Sequence, residues 1–125
     1  MPRLMAQMTI IEEPTLAHER LDVYKCAIGF LALSIKTIAV LPLGYAFLAD
    51  QFKRAALSIP LNIAEGAGKP NGSADSKRSY NIARGSAMEC GAILDSLQVL
   101  ELADGELIRP GKRLLVRVVA MLTKM

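Results

Sequence analysis

Residues 50–69 read DQFKRAALSIPLNIAEGAGK, and this stretch constrains the fold more than any other in the chain. Leu48, Phe52, Ala55, Ile59 and Ile63 recur at steps of three and four, which draws one apolar stripe along an α-helix. Ala55 and Ala56 keep the adjoining surface low, so a second helix can approach closely. Pro60 lies inside the stripe rather than at its end. It has no N–H and releases the Ala56 carbonyl, so a kink or a side-chain donor is expected there. Gly66 and Gly68, followed by Pro70, Asn71 and Gly72, stop the helix with strong turn chemistry. The segment from Gly66 to Lys69 resembles a phosphate loop only superficially. It follows a helix rather than a strand and lacks the spacing, so it reads as a helix stop. The stretch is the first arm of a long helical hairpin.

The remaining chain fits helices around that hairpin. Its 125 residues are enough for one domain with a modest core, and 52% hydrophobic content without Trp favours Leu/Ile/Ala packing between helices. Residues 1–14 read as a loose lead-in, and residues 15–125 as the bundle domain. Thr15 is a candidate cap for a first helix over about residues 16–41, with a seam of Leu21, Tyr24, Ile28, Leu31, Ile35 and Ile38. Much of the other circumference of that helix is apolar too, which points to self-association. The short connection at Pro42, Leu43 and Gly44 turns the chain back antiparallel. Ser73 or Asp75 caps a third helix with the seam Tyr80, Ala83, Ala87, Cys90, Leu94 and Leu97. Gly85 and Gly91 within it are expected to mark close contact with residues 55–58, because glycine weakens a helix interior by about 1 kcal/mol. A fourth helix starts between Asp104 and Pro110 and buries Leu114, Leu115, Val118, Val119 and Leu122. The expected fold is all-α, an antiparallel up-down four-helix bundle.

A hairpin turn near Asn71 and Gly72 pairs residues whose numbers sum to about 143. That sets Arg54 against Glu89, Glu65 against Arg78, Asn62 against Asn81, and Ser58 against Gly85. Asn62 and Glu65 are also candidates for satisfying groups freed by Pro60, or for pairing with Arg78 or Arg84. With Gly66, these residues read as a structural motif.

Catalytic candidates are thin, and the chain is expected not to be an enzyme. His18, the single histidine, reads as solvated beside Glu19. No HxxxH, ExxH or paired Cys/His spacing appears, so no metal or other cofactor is expected. Ser58 and Ser86 have no histidine base in sequence reach. Cys26 and Cys90 read as two buried thiols in a reducing cytoplasm. Residues 26–49 carry Lys36 as their one charge, yet Lys36 at mid-span, with Pro42 and Gly44 beyond it, argues against a membrane helix.

The most suggestive functional feature is the basic end of the chain. Net charge is +3, and residues 107–125 hold five basic side chains and no acidic one. Arg109, Arg113 and Arg117 fall at intervals of four on one helix face, with Lys112 and Lys124 flanking. Lys53, Arg54, Lys77 and Arg78 can add to them from the hairpin. Such a stripe is either a solvated face or a surface for RNA or DNA phosphates. With no aromatic residues interleaved, base readout is not expected.

The motifs SIPLNIAEG at residues 58–66 and IARGSAME at residues 82–89, with LDVYK at residues 21–25, resemble the four-helix-bundle proteins encoded in intervening sequences of bacterial large-subunit ribosomal RNA genes. The accessory protein of diversity-generating retroelements looks like a more distant relative. The resemblance implies an antiparallel four-helix bundle, commonly a ring-shaped pentamer, without enzymatic activity. The retroelement relative is implicated in binding nucleic acid and a reverse transcriptase. The chain departs from the pattern at residues 43–49, which are more apolar, and at Arg109, Pro110 and Gly111. The expectation is a cytoplasmic homo-oligomer that binds RNA or DNA phosphates weakly through basic residues; a protein-binding scaffold is the rival reading.

Overall fold

The computed structural model describes residues 14–125, so the expected lead-in falls almost wholly outside the described residues. Four helices follow: α1 (Asp22–Ala39), α2 (Ala46–Gly68), α3 (Ala74–Val99) and α4 (Gly105–Thr123). Each packs on the next and α4 closes back on α1, leaving α1/α3 and α2/α4 on the diagonals of an up-down bundle. Phe30, Phe52, Ile59, Ile63, Leu94, Leu97 and Val118 fill the centre. No helix of the described residues is long and apolar enough to cross a membrane.

Local signals set the helix ends. Ser73 caps α3, its Oγ accepting the Ser76 N–H at 3.1 Å. Asp104 caps α4, its Oδ1 accepting the N–H groups of Glu106 and Leu107 at 3.0 and 3.2 Å. Pro110 is therefore the sixth residue of α4, not part of its first turn. Gly72, at φ +75°, completes the α2–α3 turn with the Ser73 N–H on the Pro70 carbonyl. Helix α3 ends in a Schellman arrangement: Leu102 N–H bonds the Leu97 carbonyl, and Glu101 N–H bonds the Gln98 carbonyl. Glu101 takes the left-handed position there at φ +58°.

The stripes expected on α2, α3 and α4 are the buried ones, whereas α1 differs in two ways. It begins at Asp22, because the Glu19 carboxylate folds back onto the Leu16 N–H and residues 17–20 form a separate turn. Its buried face is Val23, Cys26, Ala27, Phe30, Ser34 and Thr37, while Ile28 and Ile35 point outward. A helix apolar all round gives periodicity no face to choose. Ser34 and Thr37 tolerate burial by donating to the Phe30 and Leu33 carbonyls at 2.8 and 3.2 Å. His18, expected to be solvated, is half-buried edge-on to Tyr24, with ring centroids 4.6 Å apart.

Pro60 is buried within α2, which continues through it to Gly68. Beside it, Asn62 Nδ2 donates to the Ser58 carbonyl and Oγ at 2.9 and 3.0 Å, and Ser86 Oγ donates to Ser58 Oγ at 2.8 Å. Near the turn, Ser76 Oγ donates to the Gly66 carbonyl at 2.8 Å. The numbers of the bonded pairs, 58 with 86 and 66 with 76, sum to 144 and 142, so the hairpin register holds. Its expected ion pairs do not form. Glu89 accepts from Gln51 instead of Arg54, and among the described residues Glu65 pairs with neither Arg78 nor Arg84. A sum of residue numbers fixes height along a hairpin but not the side of the helix from which a side chain leaves. The α3 glycines also miss their expected role. Nothing lies within 4 Å of a Cβ built on Gly85, and Gly91 faces Leu115 of α4 rather than α2.

Candidate nucleic-acid interface

The cap at Asp104 fixes where α4 starts and hence which way its basic residues point. Arg109, Arg113 and Arg117 are all exposed, spaced along one line at about 6 Å per four residues. With Lys112 and Val116 they line a shallow groove on the outer face of α4 that has no carboxylate in its lining. Helix α4 lies tight on the bundle beneath them because Gly111 is buried. A Cβ there would come within 3.2 Å of both Leu33 Cδ2 and Leu94 Cδ1. The arginine row thus stands on a rigid element.

The other basic residues divide by position. Lys112 Nζ is ion-paired with the Asp95 carboxylate of α3, so its charge is already partly answered within the molecule. Lys124 caps the C-terminal end of α4 and is exposed, where a cation is favoured by the helix dipole. Lys77, at the start of α3, lines a small cavity with Met125, which brings it to the Lys124 end of the bundle. Arg78 is exposed on the same first turns of α3. Lys53 and Arg54 are exposed on α2, the helix diagonal to α4, and do not join the row. Arg84 Nε donates to Thr123 Oγ1 at 3.0 Å and ties α3 to the end of α4. Of the expected set, Arg109, Arg113 and Arg117 share one face of α4, and Lys77, Arg78 and Lys124 lie towards one end of the bundle.

Sequence reasoning missed Asp95 and the apolar groove next to the row. That groove, of about 540 Å³, lies between α3 and α4 and includes Met88, Gly91, Ala92, Leu115, Val116 and Val119. Extending the hairpin sum to the α3–α4 turn was the available signal: Asp95 with Lys112 and Arg84 with Thr123 both sum to 207.

Other chemistry is sparse. Among the described residues, no three His, Cys, Asp or Glu side chains gather in a way that could hold a metal ion. Cys26 and Cys90 are free and buried, as expected of structural thiols. Burial, with the Glu89 charge adding to it, pushes the Cys90 thiol up from 9.0 to about 12.

Compared with known proteins, the chain matches none of the curated sequences. A family model, that of the 23S rRNA-intervening sequence protein, matches residues 19–124 and so runs through all four helices. The chain belongs to the 23S rRNA-intervening sequence protein family.

Proposed function

We propose that this protein is a non-enzymatic, oligomeric helical bundle whose α4 row binds RNA or DNA phosphates without reading sequence. The observation that carries the reading is the line of three exposed arginines, Arg109, Arg113 and Arg117, around a groove with no acidic lining. Guanidinium groups bind phosphate oxygens in forked pairs, and a helix presents them on a backbone that is already ordered. No aromatic side chain lines the groove, so contact is with the backbone and not the bases.

Self-association is supported by exposed apolar surface. Helix α1 turns Ile28, Gly29, Ala32 and Ile35 outward, and α2 turns out Phe47, Leu57 and Leu61. In a ring, copies of the arginine row multiply phosphate contacts and raise avidity. A pentamer is the assembly this reading adopts from the family resemblance; sedimentation analysis of the wild type beside Ile28→Glu/Ile35→Glu tests it.

The binding test is salt dependence. Three phosphate contacts per subunit predict a slope of log K against log salt of about −2 for single strands and about −3 for B-form DNA. Affinity then falls roughly 15- to 40-fold between about 50 and 200 mM salt, and Arg113→Glu/Arg117→Glu abolishes binding. Absence of binding to any nucleic acid at low salt refutes the reading.

A further inference from the structure

The groove between α3 and α4 is framed at both ends. At one end Arg84 Nε of α3 bonds Thr123 Oγ1 of α4, and at the other Lys112 of α4 is ion-paired with Asp95 of α3. Eleven residues separate the two cross-links on each helix, a length of about 16 Å at 1.5 Å per residue. Between them the floor is small and apolar: Ala87, Gly91, Ala92 and Ala120 leave open the space that larger side chains would fill. Met88 and Val116 stand on its two rims, 57% and 67% exposed. The opening is thus an apolar window about three helical turns long, not a hole in the core.

Its surroundings carry a sign. The window and the adjoining α4 groove are lined by Arg109, Lys112, Arg113 and Arg117 against Asp95 alone. Arg84 adds a cation at the Thr123 end, where its bonded partner is a neutral hydroxyl. Glu89, the acidic residue next to Met88, is held by Gln51 of α2 and so turns to the other side of α3. A flat nucleobase has no aromatic platform in the window. Leu or Ile side chains at helical spacing match its small floor and its length, and carboxylates beside them match its rim.

We propose that the α3/α4 window is a docking site for an amphipathic helix of a partner protein, about three turns long, apolar on one face and acidic along its flanks. The incoming helix lies along the groove and buries Met88 and Val116. Its acidic flank meets Arg113 and Arg117. The apolar window lies across the Lys112–Val116 ridge from the phosphate row. The acidic flank shares Arg113 and Arg117 with that row, so the two ligands compete there, while the apolar contact does not depend on nucleic-acid binding.

The test uses a synthetic helical peptide with leucines at i, i+4, i+7 and i+11 and glutamates beside them, titrated into the full-length chain. A second peptide has the same leucines with lysines in place of the glutamates. Binding is read by fluorescence anisotropy at two salt concentrations, and the oligomeric state by sedimentation. Gly91→Leu fills the window from its floor: the nearest atom to a Cβ there is Leu115 Cδ1 at 4.0 Å, an ordinary contact. Ala92→Phe is a second filling variant at an exposed position. The expected result is saturable binding of the acidic peptide, tenfold weaker binding of the lysine peptide, and at least tenfold loss in both filled variants. Phosphate binding by the arginine row stays unchanged in those variants. No saturable binding to the wild type up to about 1 mM overturns the proposal. Equal binding to the filled variants also overturns it. A change in oligomeric mass in the filled variants assigns the window to a second copy of this chain and overturns it too.

Discussion

Gly66→Ala tests how the α2–α3 hairpin is held. Gly66 is buried at the end of α2, and a Cβ there would lie 2.7, 2.9 and 3.0 Å from Tyr80 Cε1, Cδ1 and Cζ. Tyr80 is half-buried against the core and also lines the small cavity at the turn, so its ring must give up core contact to make way. Two opposed effects set the magnitude. Replacing a helical glycine by alanine gains up to about 1 kcal/mol, and less in a last turn. Forcing a methyl group into a packed site loses about 1–3 kcal/mol. The clash involves three ring atoms, so packing wins and a net loss of about 1–2 kcal/mol is expected. Gly68→Ala is the matched control: it sits one half-turn on in the same helix, with nothing within 4 Å of its Cβ. That variant is expected to be neutral or slightly more stable. Urea unfolding at fixed protein concentration reads both, as a change in midpoint without a change in slope. Removing the ring, in Gly66→Ala/Tyr80→Ala, makes the Gly66 substitution harmless, and the coupling energy measures the contact. If Gly66→Ala is as stable as Gly68→Ala, the Tyr80 ring is not what requires glycine there.

Three further outcomes are expected. Glu101 occupies a left-handed position at φ +58°, so Glu101→Gly should raise stability by about 0.5–1 kcal/mol, the strain relieved less the unfolded-chain entropy; a lower urea midpoint would contradict this. Cys90 has its folded pKa raised to about 12 from 9.0, so its contribution is fully present below pH 9 and is lost as pH rises towards 12. Wild-type stability should then fall relative to Cys90→Ala by up to about 1.4 kcal/mol per pH unit in that window, and parallel pH profiles for the two proteins would count against it. Asp95→Asn releases Lys112 from its ion pair. It should change stability by less than about 1 kcal/mol while steepening the salt slope of nucleic-acid binding by about 0.7–0.9, one added phosphate contact; an unchanged slope would show that Lys112 stays outside the contact.

What could be read from the sequence follows from what periodicity can and cannot encode. Helix α3 was legible because Ala83, Ala87, Cys90, Leu94 and Leu97 alternate with polar residues, which leaves one face to bury. Helix α1 was not, because Ile28 and Ile35 are as apolar as Phe30. The choice between those faces is made by the packing of Phe30 against Phe52, with ring centroids 6.2 Å apart, and by Gly111 lying against Phe30. Both are contacts between helices. The same distinction governs the site. The arginine row lies within one helix, so its i, i+4 spacing was sufficient to place it. Which cations are free depends on a neighbouring helix, and neither Asp95 beside Lys112 nor Thr123 beside Arg84 follows from spacing within α3 or α4. The motif at residues 58–66 has the opposite character. Ser58, Asn62 and Gly66 are all engaged in bonds or close contacts within the hairpin, and Pro60 is buried beside them. Those four residues hold α2 against α3, while Leu61 of the same motif is exposed. Arg109, Arg113 and Arg117 are exposed and carry little of the core. The proposed phosphate row on α4 can therefore be altered without disturbing the hairpin that makes the sequence recognisable.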